Sequence, residues 1–295
     1  MLTSVDSASP IAVIGAGTMG RGIARVIAGA GFDVNLHDAQ RDALPRALAE
    51  IDASLDREIA RGSQTEDDKA RVRSHLHTCE GLAEAIEGTR FVIETVPEDP
   101  DIKRDVFVAL DASVDASALL ATNTSAMSVT EIGAWTRRPE RVVGTHFFNP
   151  AHRMRLVEIV RGIDTSEETV AEALSLCRAI GKETIVVEDR PGFATSRISS
   201  LIGNEAWHML MEGVATAEEI DRAVKLGLGF PMGPFELGDL VGLDTRLSVL
   251  RYLHQTLGER FRPCPLLVKY VEAGRLGRKT GRGVYEYRDD VRAEP

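Results

Sequence analysis

The stretch PIAVIGAGTMGRGIARVIAGAGFDVNLHD, residues 10–38, decides the fold. It opens with a short apolar run at 10–14, turns through Gly15-Ala16-Gly17-Thr18-Met19-Gly20, and continues with Ile23, Ala24, Val26 and Ile27 at helical spacing. Residues 31–38 return as a second extended run that ends on Asp38. Strand, G-x-G-x-x-G, helix, strand and acidic residue in this order describe a dinucleotide-binding unit. Gly15 permits the tight turn, Gly17 lets backbone approach a pyrophosphate, and Gly20 lets helix pack closely on strand. The phosphates then sit at the helix N-terminus, with Thr18 and Met19 in the same loop. Asp38 stands where a carboxylate accepts hydrogen bonds from ribose hydroxyls and repels a 2′-phosphate, which favours NAD over NADP. FAD shares the fingerprint and is the competing ligand; a plain glycine turn is the bland alternative.

Working outward, residues 41–61 read as a long helix, with Leu44, Leu48, Ile51, Leu55 and Ile59 at spacings of three and four. Arg46, Ser54, Arg57 and Arg61 fall opposite that stripe, either as a solvated face or as ligand contacts. Apolar runs at 76–79, 91–94, 118–121, 142–147, 156–160 and 184–188 read as strands, with helices at 100–111 and 165–180 between them. The expectation is an α/β Rossmann-type N-terminal domain over 1–188, its sheet mostly parallel and its ligands at the strand C-terminal ends. Asp189-Arg190-Pro191-Gly192 marks a boundary. From 189 to 295 the pattern is helical, with apolar positions from Ile198 to Leu210, a capping pattern at 216–219 and a helix at 243–257. The one convincing strand pattern there is 283–287. An all-α C-terminal domain of only about a hundred residues often completes its core against a second copy, so a homodimer is expected.

The bulk numbers exclude several classes. The formal charge of −10 over 295 residues argues against a nucleic-acid partner. No run reaches membrane-span length, and the N-terminal decapeptide has no signal-peptide core. Three widely spaced cysteines, Cys79, Cys177 and Cys264, fit free thiols in a reducing, cytoplasmic compartment, and no metal is expected.

Chemistry concentrates between 121 and 160. Ser125 follows a strand, His146 opens HFFNP near the end of another, and Glu158 interrupts the apolar run LVEIV. A carboxylate among Leu156, Val157 and Ile159 needs a partner, because burying an unpaired charge is costly. Imidazole, carboxylate and hydroxyl are the parts of an acid/base site acting on an alcohol proton. Taken singly, His146 also reads as a core histidine, and Glu158 as half of an ion pair with Arg155 or Arg161.

With these residues in view, the chain resembles the short-chain L-3-hydroxyacyl-CoA dehydrogenase family. The resemblance rests on GAGTMGRGIA at 15–24, VPEDPDIK at 96–103, ATNTSAMSVTEI at 121–132 and HFFNP…RLVEIV at 146–160. It continues through PGFATSRI at 191–198, GLGFPMGPFELGDLVGLDT at 227–245 and GRKTGRGVYEY at 277–287. The family pattern implies a catalytic His146 partnered by Glu158, with Ser125 and Asn149 lining the substrate pocket. It implies NAD contacts from the 15–20 loop, Asp38, Glu98, Lys103 and Asn123. It also implies contacts to the CoA arm from Ser54 and Arg61, the latter an arginine where the family has a lysine.

Departures from the pattern cluster near the substrate. Ser196 replaces an asparagine that helps hold the substrate, Ala126 replaces a common serine, and 151–155 brings charge where the family is small and apolar. These changes suit a more polar acyl group, or one borne on an acyl carrier protein rather than CoA. Oxidation of a free hydroxy or sugar acid, in the manner of the related gulonate dehydrogenases, is a second enzymatic alternative, and a non-catalytic NAD-binding protein a third. The β-hydroxyacid dehydrogenases, which use a lysine just after the domain boundary, are disfavoured because no lysine lies between Lys182 and Lys225.

Overall fold

A computed structural model describes residues 9–288 and 291–292 of the chain. Backbone contacts divide it into two compact units, Met1–Asp189 and Arg190–Pro295.

The first unit runs β1 (Ile11–Ile14), α1 (Thr18–Gly29), β2 (Val34–His37), α2 (Ala43–Ala60), α3 (Glu66–His75), β3 (Leu76–Cys79), α4 (Leu82–Ile86) and β4 (Phe91–Glu94). It continues with α5 (Pro100–Ser113), β5 (Leu119–Thr122), α6 (Val129–Ala134), β6 (Val142–Phe147), β7 (Leu156–Arg161), α7 (Glu167–Ala179) and β8 (Glu183–Glu188). The eight strands form one sheet in the order β3-β2-β1-β4-β5-β6-β7-β8. The first six of that order pair parallel, the doubly wound arrangement that binds dinucleotides where the strand order reverses, here beside β1. The inner strands are buried on both faces, which is why they read as continuous apolar runs rather than alternating ones.

Beyond β6 the direction changes. β7 pairs antiparallel to β6, and β8 pairs parallel to β7. Chain length explains both. Residues 148–155 are too few for the crossover that a parallel connection needs, whereas the segment between β7 and β8 holds α7. The α3 helix escaped the sequence reading because it buries only Val72 and so has no apolar stripe. A capping box between Thr65 and Asp68 starts it instead.

The second unit contains α8 (Thr195–Glu212), α9 (Ala217–Leu228), α10 (Pro234–Val241), α11 (Leu243–Leu257) and α12 (Pro265–Glu272). The expected capping pattern at Thr216 is a capping box closed by Glu219. Trp207, Ile220, Phe235, Leu247, Leu250, Phe261 and Leu267 make its core, with Trp207 edge-on to Phe235 at 5.3 Å. The strand expected at 283–287 is not formed as such. Asp239 accepts the N–H groups of Val284 and Tyr285, each at 2.9 Å, groups that a ladder would otherwise have used. Among the described residues, β pairing amounts to a short antiparallel ladder of β9 (Tyr287–Arg288) and β10 (Val291–Arg292) and isolated bridges from Arg282 to Gly277 and Glu286, so the unit is helical with these additions.

Candidate active site

The glycine loop is shaped for close approach. Gly15 has φ +106°, a conformation that side chains disfavour, and a Cβ on Gly20 would lie 1.7 Å from the Gly15 carbonyl oxygen. Nothing lies within 4 Å of where a Gly17 Cβ would be, so that backbone is open to a ligand. Gly17 is also the N-cap of α1, with no side-chain cap and no acidic residue in the first turn, which suits an anion there. Sequence reasoning missed Thr95, whose hydroxyl lies 3.0 Å from the Ile14 carbonyl oxygen and 2.9 Å from that of Gly15, pinning the turn. Asp38 takes the Ala16 N–H at 2.7 Å and the Gln40 N–H at 2.8 Å, which fixes its carboxylate at the end of β2. A cavity of about 940 Å³ opens along this loop, and Thr18, Met19, Asp38, Val96 and Pro97 are among the residues lining it. Its size, open backbone and carboxylate fit the adenosine diphosphate half of NAD.

The pairing of His146 with Glu158 follows from the reversal of β7. His146 and Glu158 are register partners on adjacent antiparallel strands, so their side chains emerge side by side. His146 Nδ1 lies 2.7 Å from Glu158 Oε2; the imidazole is 4% exposed and the glutamate 0%. Phe148 stacks obliquely on the imidazole at 4.5 Å. The two alternative partners of Glu158 are engaged elsewhere, Arg155 with Glu183 and Arg161 with Glu167. With Nδ1 turned to the carboxylate, Nε2 points away from Glu158.

A second buried carboxylate, not singled out from the sequence, organises the strand ends. Glu94 is fully buried and accepts from Lys103 Nζ at 2.8 and 3.0 Å, Thr122 Oγ1 at 2.7 Å and Val96 N at 2.7 Å. The clue was present, since FVIE ends an apolar run on a charge just as LVEIV contains one. Lys103, expected among the NAD contacts, is 1% exposed, and its amine bridges Glu94 and Glu98, the latter at 3.2 Å. Burial works against the ammonium, but Glu94 and Glu98 outweigh it and raise its pKa above the ordinary value.

Glu98 in turn accepts from the Thr124 hydroxyl and from Ser125 N–H at 3.0 Å, which sets the backbone of the 123–125 loop. Asn123 accepts the Phe147 N–H at 2.9 Å, tying that loop to the strand end carrying His146. Ser125, Asn123 and Glu98 are thus drawn into one hydrogen-bonded assembly with β6.

The remaining expected residues lie apart from it. Ser54 and Asn149 line a separate cavity of about 170 Å³ between α1, α2 and the turn after β6, whereas Arg61, exposed at the end of α2, is not among its lining residues. Ser196 belongs to the second unit, in the first turn of α8. Two of the charges added at 151–155 serve the chain itself. His152 Nε2 lies 3.1 Å from Glu58, and Arg155 pairs with Glu183.

Comparison with known proteins agrees with this geometry. Residues 10–190 match the family model described as the NAD binding domain of 3-hydroxyacyl-CoA dehydrogenase, and residues 192–287 match that of its C-terminal domain. The 3-hydroxybutyryl-CoA dehydrogenase of Bradyrhizobium diazoefficiens is 46% identical over 279 residues, covering 94% of this chain and 95% of that one. The 3-hydroxyadipyl-CoA dehydrogenase of Escherichia coli is 40% identical over 285 residues, covering 96% of this chain and 60% of that one. Among solved structures, the (S)-3-hydroxybutyryl-CoA dehydrogenase of Ralstonia eutropha superposes with a TM-score of 0.88 at 40% identity, covering 95% of this chain and 99% of that one.

Proposed function

The chain belongs to the 3-hydroxyacyl-CoA dehydrogenase family, and from that premise we propose that it oxidises a 3-hydroxyacyl-CoA to the 3-oxoacyl thioester, with His146 and Glu158 as its acid/base pair. The observation that carries the proposal is the 2.7 Å contact between His146 Nδ1 and Glu158, in the same sheet as β1, which leads into the glycine loop. His146 Nε2 accepts the proton of the 3-hydroxyl. Glu158 holds the ring in orientation and stabilises the imidazolium that results. Ser125, its backbone fixed by Glu98, supports the substrate oxygen, and Asn149 lines the approach. NAD, when bound, would supply the acceptor for the hydride of C3; Gly15, Gly17, Gly20, Thr18 and Met19 would hold its phosphates and Asp38 its adenosine ribose.

The alternative of a polar acyl group loses support from the turn after β6. His152 and Arg155 are spent on Glu58 and Glu183, so they do not add charge to an acyl pocket. Steady-state NADH formation tests the reading across 3-hydroxybutyryl-CoA, 3-hydroxyadipyl-CoA, a 3-hydroxyacyl carrier protein and free hydroxy acids. We expect kcat/KM highest for 3-hydroxybutyryl-CoA; turnover of free acids without thioesters would overturn it.

We also propose a homodimer in a cytoplasmic setting. The second unit leaves Ile198, Val214, Leu226 and Leu228 each more than half exposed, apolar side chains that a second copy would cover. The three cysteines are free and buried, as in a reducing compartment, and among the described residues no helix is long and apolar enough to cross a membrane. Sedimentation at micromolar concentration is expected to give twice the chain mass; a monomer there removes the dimer.

A further inference from the structure

The cavity that Ser54 and Asn149 line is walled by an unusual buried cluster. Arg25, only 6% exposed on α1, forks onto Glu58 of α2, with Nη1 to Oε1 at 3.1 Å and Nη2 to Oε2 at 2.7 Å. The same Nη1 donates to Ser54 Oγ at 2.9 Å, and that hydroxyl lies 3.3 Å from Glu58 Oε1. Withdrawing such a pair from water is costly unless the remaining polar positions are also filled. His152 fills one, its Nε2 lying 3.1 Å from Glu58 Oε1.

His152 sits on the turn between β6 and β7, and that turn is tied from its other side too. Lys182 Nζ donates to the carbonyls of Ala151 at 2.6 Å and Met154 at 2.8 Å. Burial, with Arg25 adding to it, depresses the His152 imidazole to about 4, so at neutral pH the ring is uncharged and meets Glu58 as a neutral polar group. Glu58 stays ionised because the Arg25 fork outweighs the burial that pushes its pKa up.

The cluster thus joins α1, α2 and the turn, and none of its members lies on β6 or β7 with the acid/base pair. Beside it the cavity presents Arg21, Arg57, the Ser54 hydroxyl and Asn149 together with one carboxylate, Glu50, a polar lining with an excess of cations that suits amide and phosphate groups. We propose that Arg25, Glu58 and His152 are positioning residues that hold Ser54 and the 149–152 turn in the shape of a subsite for the substrate's thioester tail, so that they set KM for a CoA-length substrate and leave the hydride step alone. This rests on the reading that the tail of the thioester runs along α2.

The test compares two substrates in the reducing direction, acetoacetyl-CoA and the truncated acetoacetyl-N-acetylcysteamine, in His152→Ala, His152→Gln and Ser54→Ala. His152→Ala is expected to raise KM for acetoacetyl-CoA about fivefold or more, with kcat within about twofold and KM for the truncated thioester unchanged. His152→Gln keeps an N–H donor toward Glu58 and restores KM to within about twofold. Ser54→Ala raises KM for the CoA thioester alone. If Ser54→Ala does so and His152→Ala does not, the tail lies on α2 but the cluster does not position it. If neither moves KM for acetoacetyl-CoA, the tail lies elsewhere and the inference falls with that reading. Equal losses on both substrates in His152→Ala would show a general structural role and overturn it.

Discussion

His146→Ala is expected to lose about 10²- to 10⁴-fold in kcat with NAD affinity nearly unchanged, the range typical for removing a positioned general base. The imidazole is 4% exposed, so its truncation leaves a small void and takes the Nδ1 contact from buried Glu158, which lowers the thermal midpoint as well. Glu158→Gln in the same background separates these effects. It removes the buried charge and keeps a hydrogen-bonding group beside residue 146. Alone, Glu158→Gln should lower kcat less than His146→Ala does, because the base remains and only its orientation and the stability of its cation suffer. In the double variant the losses should be far from additive, since the two residues act as a unit. Single-turnover kinetics with 3-hydroxybutyryl-CoA and fluorescence titration of NADH make the measurement. Wild-type turnover in His146→Ala would remove the mechanism.

Lys103→Met is expected to be the most destabilising of the substitutions considered. It leaves Glu94 fully buried with no cation, and breaking one side of such a pair costs about 3–5 kcal/mol. For a chain of this size that corresponds to a fall of about 10 °C in thermal midpoint. Glu94→Gln combined with Lys103→Met removes both charges and keeps the acceptor used by Val96 N–H, so most of the loss should return. The double variant should still bind its substrates less well, because Glu98 has lost the ammonium that helps hold it against the 123–125 loop. Pairing raises the folded-state pKa of Lys103 above its ordinary 10.5. Its contribution is therefore fully present below that value and is lost only as pH climbs through the higher folded one. Calorimetry of the three proteins at pH 7 decides the matter; an unchanged midpoint for Lys103→Met would show that Glu94 needs no counter-charge.

These two experiments probe different depths of legibility. Residues 10–38 could be read directly because each step of the motif is local: a run, a glycine turn, a periodic helix and a terminal acid. Buried strands were legible for a similar reason, since burial on both faces writes a continuous apolar run. The ties between segments were less so. Thr95 pinning the glycine turn, and the ion pairs of Lys103 with Glu94 and Glu98, depend on residues brought together by the sheet. Nothing in the local sequence distinguishes a lysine aimed at a phosphate from one aimed at a neighbouring glutamate. His152 is the sharpest case. Beside HFFNP it read as substrate-directed charge, but its partner is Glu58, almost a hundred positions earlier on α2.

By itself the amino-acid sequence determined the dinucleotide loop, the eight strands, the helical character of the second unit, and the three side chains on which the chemistry is proposed to rest. It did so because hydrophobic period, glycine placement and capping are properties of short segments. The tertiary structure alone decided how those side chains meet. His146 and Glu158 are twelve residues apart on two strands, and whether they face each other depends on the direction and register of β7. A connection too short to cross over turns that strand back, and antiparallel register then sets the carboxylate beside the imidazole.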